Sequence, residues 1–130
     1  MKKPDFSAFR LLVAEDNLEN FIVINSILQA TGITIIHANN GAQAVALCKQ
    51  HTFDLVLMDA KMPELDGFDA TREIKKITPG LTVIMLTAYA SQLSIKDAVA
   101  AGCNDYLAKP IDVDILFAAL NKWLIGKTKI

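Results

Sequence analysis

The chain has 130 residues, a formal net charge of −1 from 13 basic and 14 acidic side chains, and 52% hydrophobic content. That length is one ordinary domain, able to bury about two-thirds of its extended-chain surface without disulfide or metal staples. The charge balance argues against a nucleic-acid footprint or a polybasic membrane patch, and Met1-Lys2-Lys3-Pro4-Asp5 does not open a signal peptide. No apolar run is long enough to span a bilayer, so the expectation is a cytoplasmic domain without nucleic-acid or membrane contact. Cys48 and Cys103 lack zinc-ligand spacing and are expected to be reduced thiols.

Along the chain, apolar runs alternate with helical periodicity. Arg10–Ala14 is a short apolar strand that stops at Glu15-Asp16, and Leu18–Thr31 follows as a helix with Asn17 as N-cap and Gly32 as stop. Its Phe21-Ile22-Val23-Ile24 run puts an apolar residue on every face, which predicts exposure of Phe21 or Ile22. Ile33–Ala38 reads as a strand and Gly41–His51 as a helix; His37 and His51 are expected at the surface, away from the acidic residues. Leu55–Met58 is a fully apolar strand ending at Asp59. Gly67–Thr78 is helical, with Lys75-Lys76 favouring the dipole of its last turn and Pro79-Gly80 closing it. Leu81–Leu86 is another buried strand, Ser91–Ala101 a helix, Asp105–Ala108 a short strand, and Asp112–Ile125 a final helix. In that last helix Val113, Phe117, Leu120 and Leu124 form the expected core stripe, beside a second row of Leu116, Ala119 and Trp123 that would flank the core or meet a partner.

Strands that are continuous apolar runs, alternating with helices, imply an α/β domain whose parallel sheet is covered on both faces. Parallel strands end on the same side, so the residues at their carboxyl ends converge. Here those residues are Glu15, Asp16, Asp59, Thr87 and Lys109. Two carboxylates about 5 Å apart repel by roughly 3 kcal/mol at an effective dielectric of ~20. Left alone, one of them would keep its proton. A hard divalent cation resolves the conflict: magnesium takes oxygen ligands, typically one or two carboxylates together with phosphate oxygens. Lys109 adds a positive charge, so the crevice suits magnesium and a phosphoryl group.

The motifs Leu12-Val13-Ala14-Glu15-Asp16-Asn17, Met58-Asp59-Ala60-Lys61-Met62-Pro63-Glu64-Leu65-Asp66-Gly67, Leu86-Thr87-Ala88 and Asp105-Tyr106-Leu107-Ala108-Lys109-Pro110 occur in this order. Together they resemble the receiver domain of two-component response regulators, from about Arg10 to Leu124. The resemblance implies a flavodoxin-like (βα)5 three-layer sandwich with strand order 2-1-3-4-5, a receiver domain over residues 8–126, and flexible tails at 1–7 and 127–130. It implies that Asp59 takes a phosphoryl group from a phosphohistidine of a histidine kinase or a histidine phosphotransfer domain. Asp16, Asp59 and the Lys61 carbonyl would ligate Mg2+, for which Mn2+ or Ca2+ can substitute, with Glu15 acting through water. Lys109 and Thr87 would hold phosphoryl oxygens, and the Lys109–Pro110 bond would be cis.

The same resemblance makes Thr87 and Tyr106 switch residues that remodel the surface of the fourth helix, fifth strand and fifth helix, where a downstream protein would bind. Lys61 and Tyr89, at variable positions, would tune the lifetime of the phosphoryl group. Glu15 departs from the Asp common at its position, a change of fine geometry. Glu15-Asp16-Asn17 with Asn20 resembles receivers of hybrid sensor histidine kinases; a free-standing regulator is the alternative. A magnesium-dependent phosphohydrolase with an aspartyl nucleophile would carry a second Asp where Lys61 stands. A flavin protein would carry a glycine- and hydroxyl-rich loop where Glu15-Asp16 stands. The chain is therefore expected to be a phosphoacceptor rather than an enzyme acting on other substrates, with no output module in the few residues beyond the motifs.

Overall fold

The computed structural model describes residues 4–88 and 92–125. The expected helix start at Ser91, the lifetime residue Tyr89 and the 127–130 tail lie outside the described residues. The strands are β1 (Arg10–Ala14), β2 (Thr34–Ala38), β3 (Leu55–Asp59), β4 (Thr82–Thr87) and β5 (Asp105–Ala108). They alternate with α1 (Leu18–Gln29), α2 (Gly41–Gln50), α3 (Gly67–Ile77), α4 (Gln92–Ala101) and α5 (Val113–Leu120), and α5 continues as a π-helical turn over Asn121–Ile125. All pairings are parallel and the order is β2-β1-β3-β4-β5. The fold is flavodoxin-like, as expected.

Strand periodicity of two, applied to continuous apolar runs, feeds two cores. Leu11, Val13, Leu55, Leu57, Ile84 and Leu86 face one layer, packed with Ile24 and Leu28 of α1 and Leu116 and Leu120 of α5. Leu12, Ala14, Val56, Met58, Val83 and Met85 face the other, packed with Ala44 and Cys48 of α2, Ala70 and Ile74 of α3 and Ala98 of α4. Among the described residues, four helices begin on a side-chain cap: Asn17 accepts from the Asn20 N–H, Asn40 from Gln43, Asp66 from Asp69 and Asp112 from Ile115, all at 2.8–3.0 Å. Gly32 follows α1 with φ +77°, the left-handed geometry that glycine adopts without a Cβ penalty.

Three expectations change. Phe6 falls within the segment expected to be a flexible tail, yet it is fully buried and its N–H donates to Thr31 O at 2.8 Å. The packed domain thus begins earlier than the motifs do, because a fully apolar ring finds a place under α1. The core face of the last helix is Leu116, Ala119, Leu120 and Leu124, while Val113 is 44% exposed. Both rows have helical spacing, so periodicity alone could not choose between them. The helix also leaves α-geometry at Asn121. There the wider turn carries Leu124 into the core while the Trp123 indole N–H donates to Asp105 Oδ2 at 2.9 Å.

Candidate functional site

The carboxyl ends of the strands bring the expected residues together. Glu15 follows β1, Asp59 ends β3, Thr87 ends β4, and Lys109 follows β5. Backbone bonds fix these ends to one another: Glu15 N–H to Ala38 O (3.0 Å), Ala60 N–H to Leu86 O (2.9 Å), and Lys109 N–H to Thr87 O (2.8 Å). The Lys109–Pro110 bond is cis. Gly67, the first residue of α3, is pressed against the end of β3: a Cβ there would stand 2.1 Å from Asp59 O. Only a residue without a Cβ permits this approach.

The Lys109 ammonium stands between two carboxylates, 3.0 Å from Glu15 Oε1 and 3.0 Å from Asp59 Oδ1. Glu15 is fully buried and Asp59 nearly so, at 6% exposure. Asp16, one residue beyond Glu15, is exposed. Ligand oxygens of Glu15, Asp16 and Asp59 all lie within 4.8 Å of one another. Burial pushes the Asp59 carboxyl up to about 6, and the neighbouring Glu15 carboxyl adds to the rise against the opposing pull of Lys109. Burial alone would lower Lys109, but its hydrogen bonds to Asp59 and Glu15 prevail and hold it above the ordinary lysine value. One ammonium therefore does not fully compensate the carboxylates.

Beside this cluster is a cavity of about 160 Å³ lined by Asp59, Ala60, Lys61, Phe68, Thr87, Ala88 and Lys109. It is large enough for a phosphoryl group and a few waters. Its wall presents a carboxylate, a hydroxyl and an ammonium to the same space. A hard cation fits the donor set: three carboxylates gather around one point, and every donor is oxygen. Tyr106, on β5, is 37% exposed.

The site also contains a residue that sequence reasoning misplaced. His37 was expected away from the acidic residues. Its Nε2 instead lies 2.8 Å from Glu15 O, and its ring stacks on Phe21 with centroids 3.8 Å apart and planes 10° from parallel. β2 runs beside β1 in parallel, with His37 opposite Val13, so the imidazole reaches forward to the turn after β1. The signal was its position one residue before the end of a neighbouring strand. His51 is exposed, as expected. On α1, Ile22 (51%), Val23 (53%) and Leu18 (62%) are exposed, whereas Phe21 packs against the core. Val23 and Ile24 face Pro110 and Ile111 across a groove of about 170 Å³ whose floor includes Glu15 and Lys109. Cys48 and Cys103 are unpaired thiols, and burial pushes Cys48 up to about 11.

A family model described as response regulator receiver domain matches residues 11–121. Chemotaxis protein CheY of Bacillus subtilis is 41% identical over 118 residues, covering 90% of this chain and 98% of that protein. The receiver domain of the sensor histidine kinase PA1611 from Pseudomonas aeruginosa, with a magnesium ion coordinated in its active-site cleft, superposes with a TM-score of 0.84. It is 37% identical, with 89% of this chain and 97% of that chain covered. The receiver domain of Saccharomyces cerevisiae Ssk1, crystallised with the histidine phosphotransfer protein Ypd1, superposes with a TM-score of 0.90 at 28% identity, covering 100% and 96% of the two chains. The first curated relatives it matches are longer transcriptional regulators, of which this chain spans 26%.

Proposed function

The chain belongs to the response regulator receiver domain family of two-component systems, and from that premise we propose that Asp59 is its phosphoacceptor. The observation that carries the reading is the buried Asp59 carboxylate held 3.0 Å from Lys109 at the mouth of a phosphoryl-sized cavity. An Asp59 oxygen attacks the phosphorus of a phosphohistidine; the O–P bond forms, the P–N bond breaks, and the imidazole leaves and takes its proton from solvent. Lys109 gives up its pairing with Asp59 for the incoming phosphoryl oxygens. The Thr87 hydroxyl donates to another of those oxygens.

Asp16, Asp59 and the Lys61 carbonyl would hold Mg2+, with Glu15 reaching it through water, and Mn2+ or Ca2+ can take its place. When bound, the ion neutralises charge on the phosphoryl group in transit. The chain's own part is positioning: buried Glu15 holds Lys109 beside Asp59, and the β3 terminus holds the nucleophile. The domain thus catalyses its own phosphorylation and slow loss of the group, and acts on no other substrate.

The donor is a histidine kinase or a histidine phosphotransfer domain, docked over the exposed Leu18, Ile22 and Val23 of α1. The Ypd1 complex of Ssk1 and the kinase origin of the PA1611 receiver support that class of partner. Thr87 and Tyr106 relay phosphorylation to the α4–β5–α5 face, where a downstream protein binds; the exposed Tyr106 ring is in the state expected before phosphorylation. We read the chain as the receiver of a hybrid sensor histidine kinase working on the cytoplasmic side, with residues 8–126, extended to Phe6, as the receiver unit. The 98% coverage of CheY favours a free-standing regulator as the second reading. Among the described residues no helix is long and apolar enough to cross a membrane.

The test is incubation with acetyl phosphate and Mg2+. One base-labile phosphoryl group per chain is expected, lost in Asp59→Asn and on chelation of the metal; undiminished labelling of Asp59→Asn would defeat the assignment.

A further inference from the structure

The peptide group between Glu15 and Asp16 decides where the Asp16 carboxylate points, and it lies just past the last paired residues of β1, Ala14 and Ala38. Beyond that pair, the Glu15 N–H still donates to Ala38 O at 3.0 Å, but the Glu15 carbonyl has passed the end of the ladder. The His37 ring takes over there, with Nε2 2.8 Å from that carbonyl oxygen. A carbonyl can only accept, so Nε2 carries the proton and donates. The ring itself is held on its face by Phe21 of α1, at 3.8 Å and near-parallel. Phe21 in turn belongs to the first turns of the helix whose N-cap is Asn17, and its N–H donates to Asn17 O at 3.1 Å. The Asn17 N–H also lies 3.3 Å from Glu15 Oε2. The two residues flanking Asp16 are thus tied on one side to β2 and on the other to α1, through one imidazole.

We propose that His37 is a positioning residue for the cation site: its Nε2–H fixes the Glu15–Asp16 peptide plane and so presents the exposed Asp16 carboxylate to a divalent cation. The proposal rests on the reading of Glu15, Asp16 and Asp59 as the magnesium site. Without the donor, that carbonyl loses its anchor and the plane is held less firmly, so part of the binding free energy of the ion goes into ordering it.

Two substitutions separate the donor from the packing. His37→Phe keeps a ring against Phe21 and removes the N–H; His37→Gln places an amide N–H within reach of the same carbonyl and removes the ring. Magnesium affinity is measured by calorimetric titration of the protein without any phosphoryl donor, alongside thermal unfolding in chelator. His37→Phe should bind Mg2+ about three- to tenfold more weakly, with an unfolding midpoint close to that of the parent. His37→Gln should lie within about twofold of the parent. The proposal is overturned if His37→Phe binds Mg2+ as the parent does, or if His37→Gln is as weak as His37→Phe. A parent protein that binds no Mg2+ would instead refute the underlying site, a result distinguishable from either.

Discussion

Replacing the proposed nucleophile should stabilise the metal-free domain, and the gain should depend on pH. Asp59 ionises at about 6 in the folded chain against 3.8 for an unperturbed carboxyl, because burial and the adjacent Glu15 carboxyl outweigh Lys109. Between those two values the folded state keeps a proton that the unfolded state has released. Stability therefore falls as pH rises through roughly 4 to 6, and the penalty is complete above that window. A difference of this size corresponds to about 3 kcal/mol. The cavity opens to water on one side, and screening reduces the expectation to about 1–2 kcal/mol. Asp59→Asn removes the charge and keeps the shape, so at pH 7.5 in chelator it should unfold at a midpoint about 4–8 °C above the parent. At pH 4.5 most of that gain should vanish, because the parent carboxyl is then protonated as well. Thermal melts of both proteins at the two pH values decide the matter. An Asp59→Asn protein no more stable than the parent at pH 7.5, or one equally stabilised at both values, would refute the reasoning.

The same balance predicts that magnesium stabilises the parent above pH 6 by about 2.7 kcal/mol at a hundredfold excess over its dissociation constant, and far less at pH 4.5, read by melts with and without the ion. Gly67→Ala should cost more than about 2 kcal/mol in urea unfolding, because its Cβ would meet Asp59 O at 2.1 Å. Tyr106→Ala should accept phosphoryl groups at the parent rate but weaken the response of a downstream partner, measured by comparing labelling with partner binding; an unchanged partner response would remove Tyr106 from the relay.

The layered fold was legible because apolar runs of strand length are buried on both faces wherever they occur in a parallel sheet, and Asn17 and Asp112 mark helix starts by their own chemistry. The convergence of Glu15, Asp59, Thr87 and Lys109 followed from parallel topology once the runs were recognised. What escaped the sequence depended on side-chain reach and rotation about an axis. His37 contacts Glu15 through an imidazole extending past its own strand, and pattern reading does not carry reach. Leu116 and Val113 share helical spacing with the same neighbours, so the rotation of α5, which buries Leu116 and leaves Val113 exposed, could not be read from periodicity. Phe6 precedes every motif and is held by backbone bonds to Thr31 and Phe9 and by a pocket formed elsewhere in the chain.

The most direct test of the account is the position of the acquired phosphoryl group. The domain is incubated with acetyl phosphate and Mg2+, the acyl phosphate is reduced with borohydride, and the peptides are sequenced by mass spectrometry. Conversion of residue 59 to homoserine, dependent on the metal and strongly reduced in Lys109→Ala, is the predicted result. Modification at any other carboxylate, with Asp59 untouched, would contradict it.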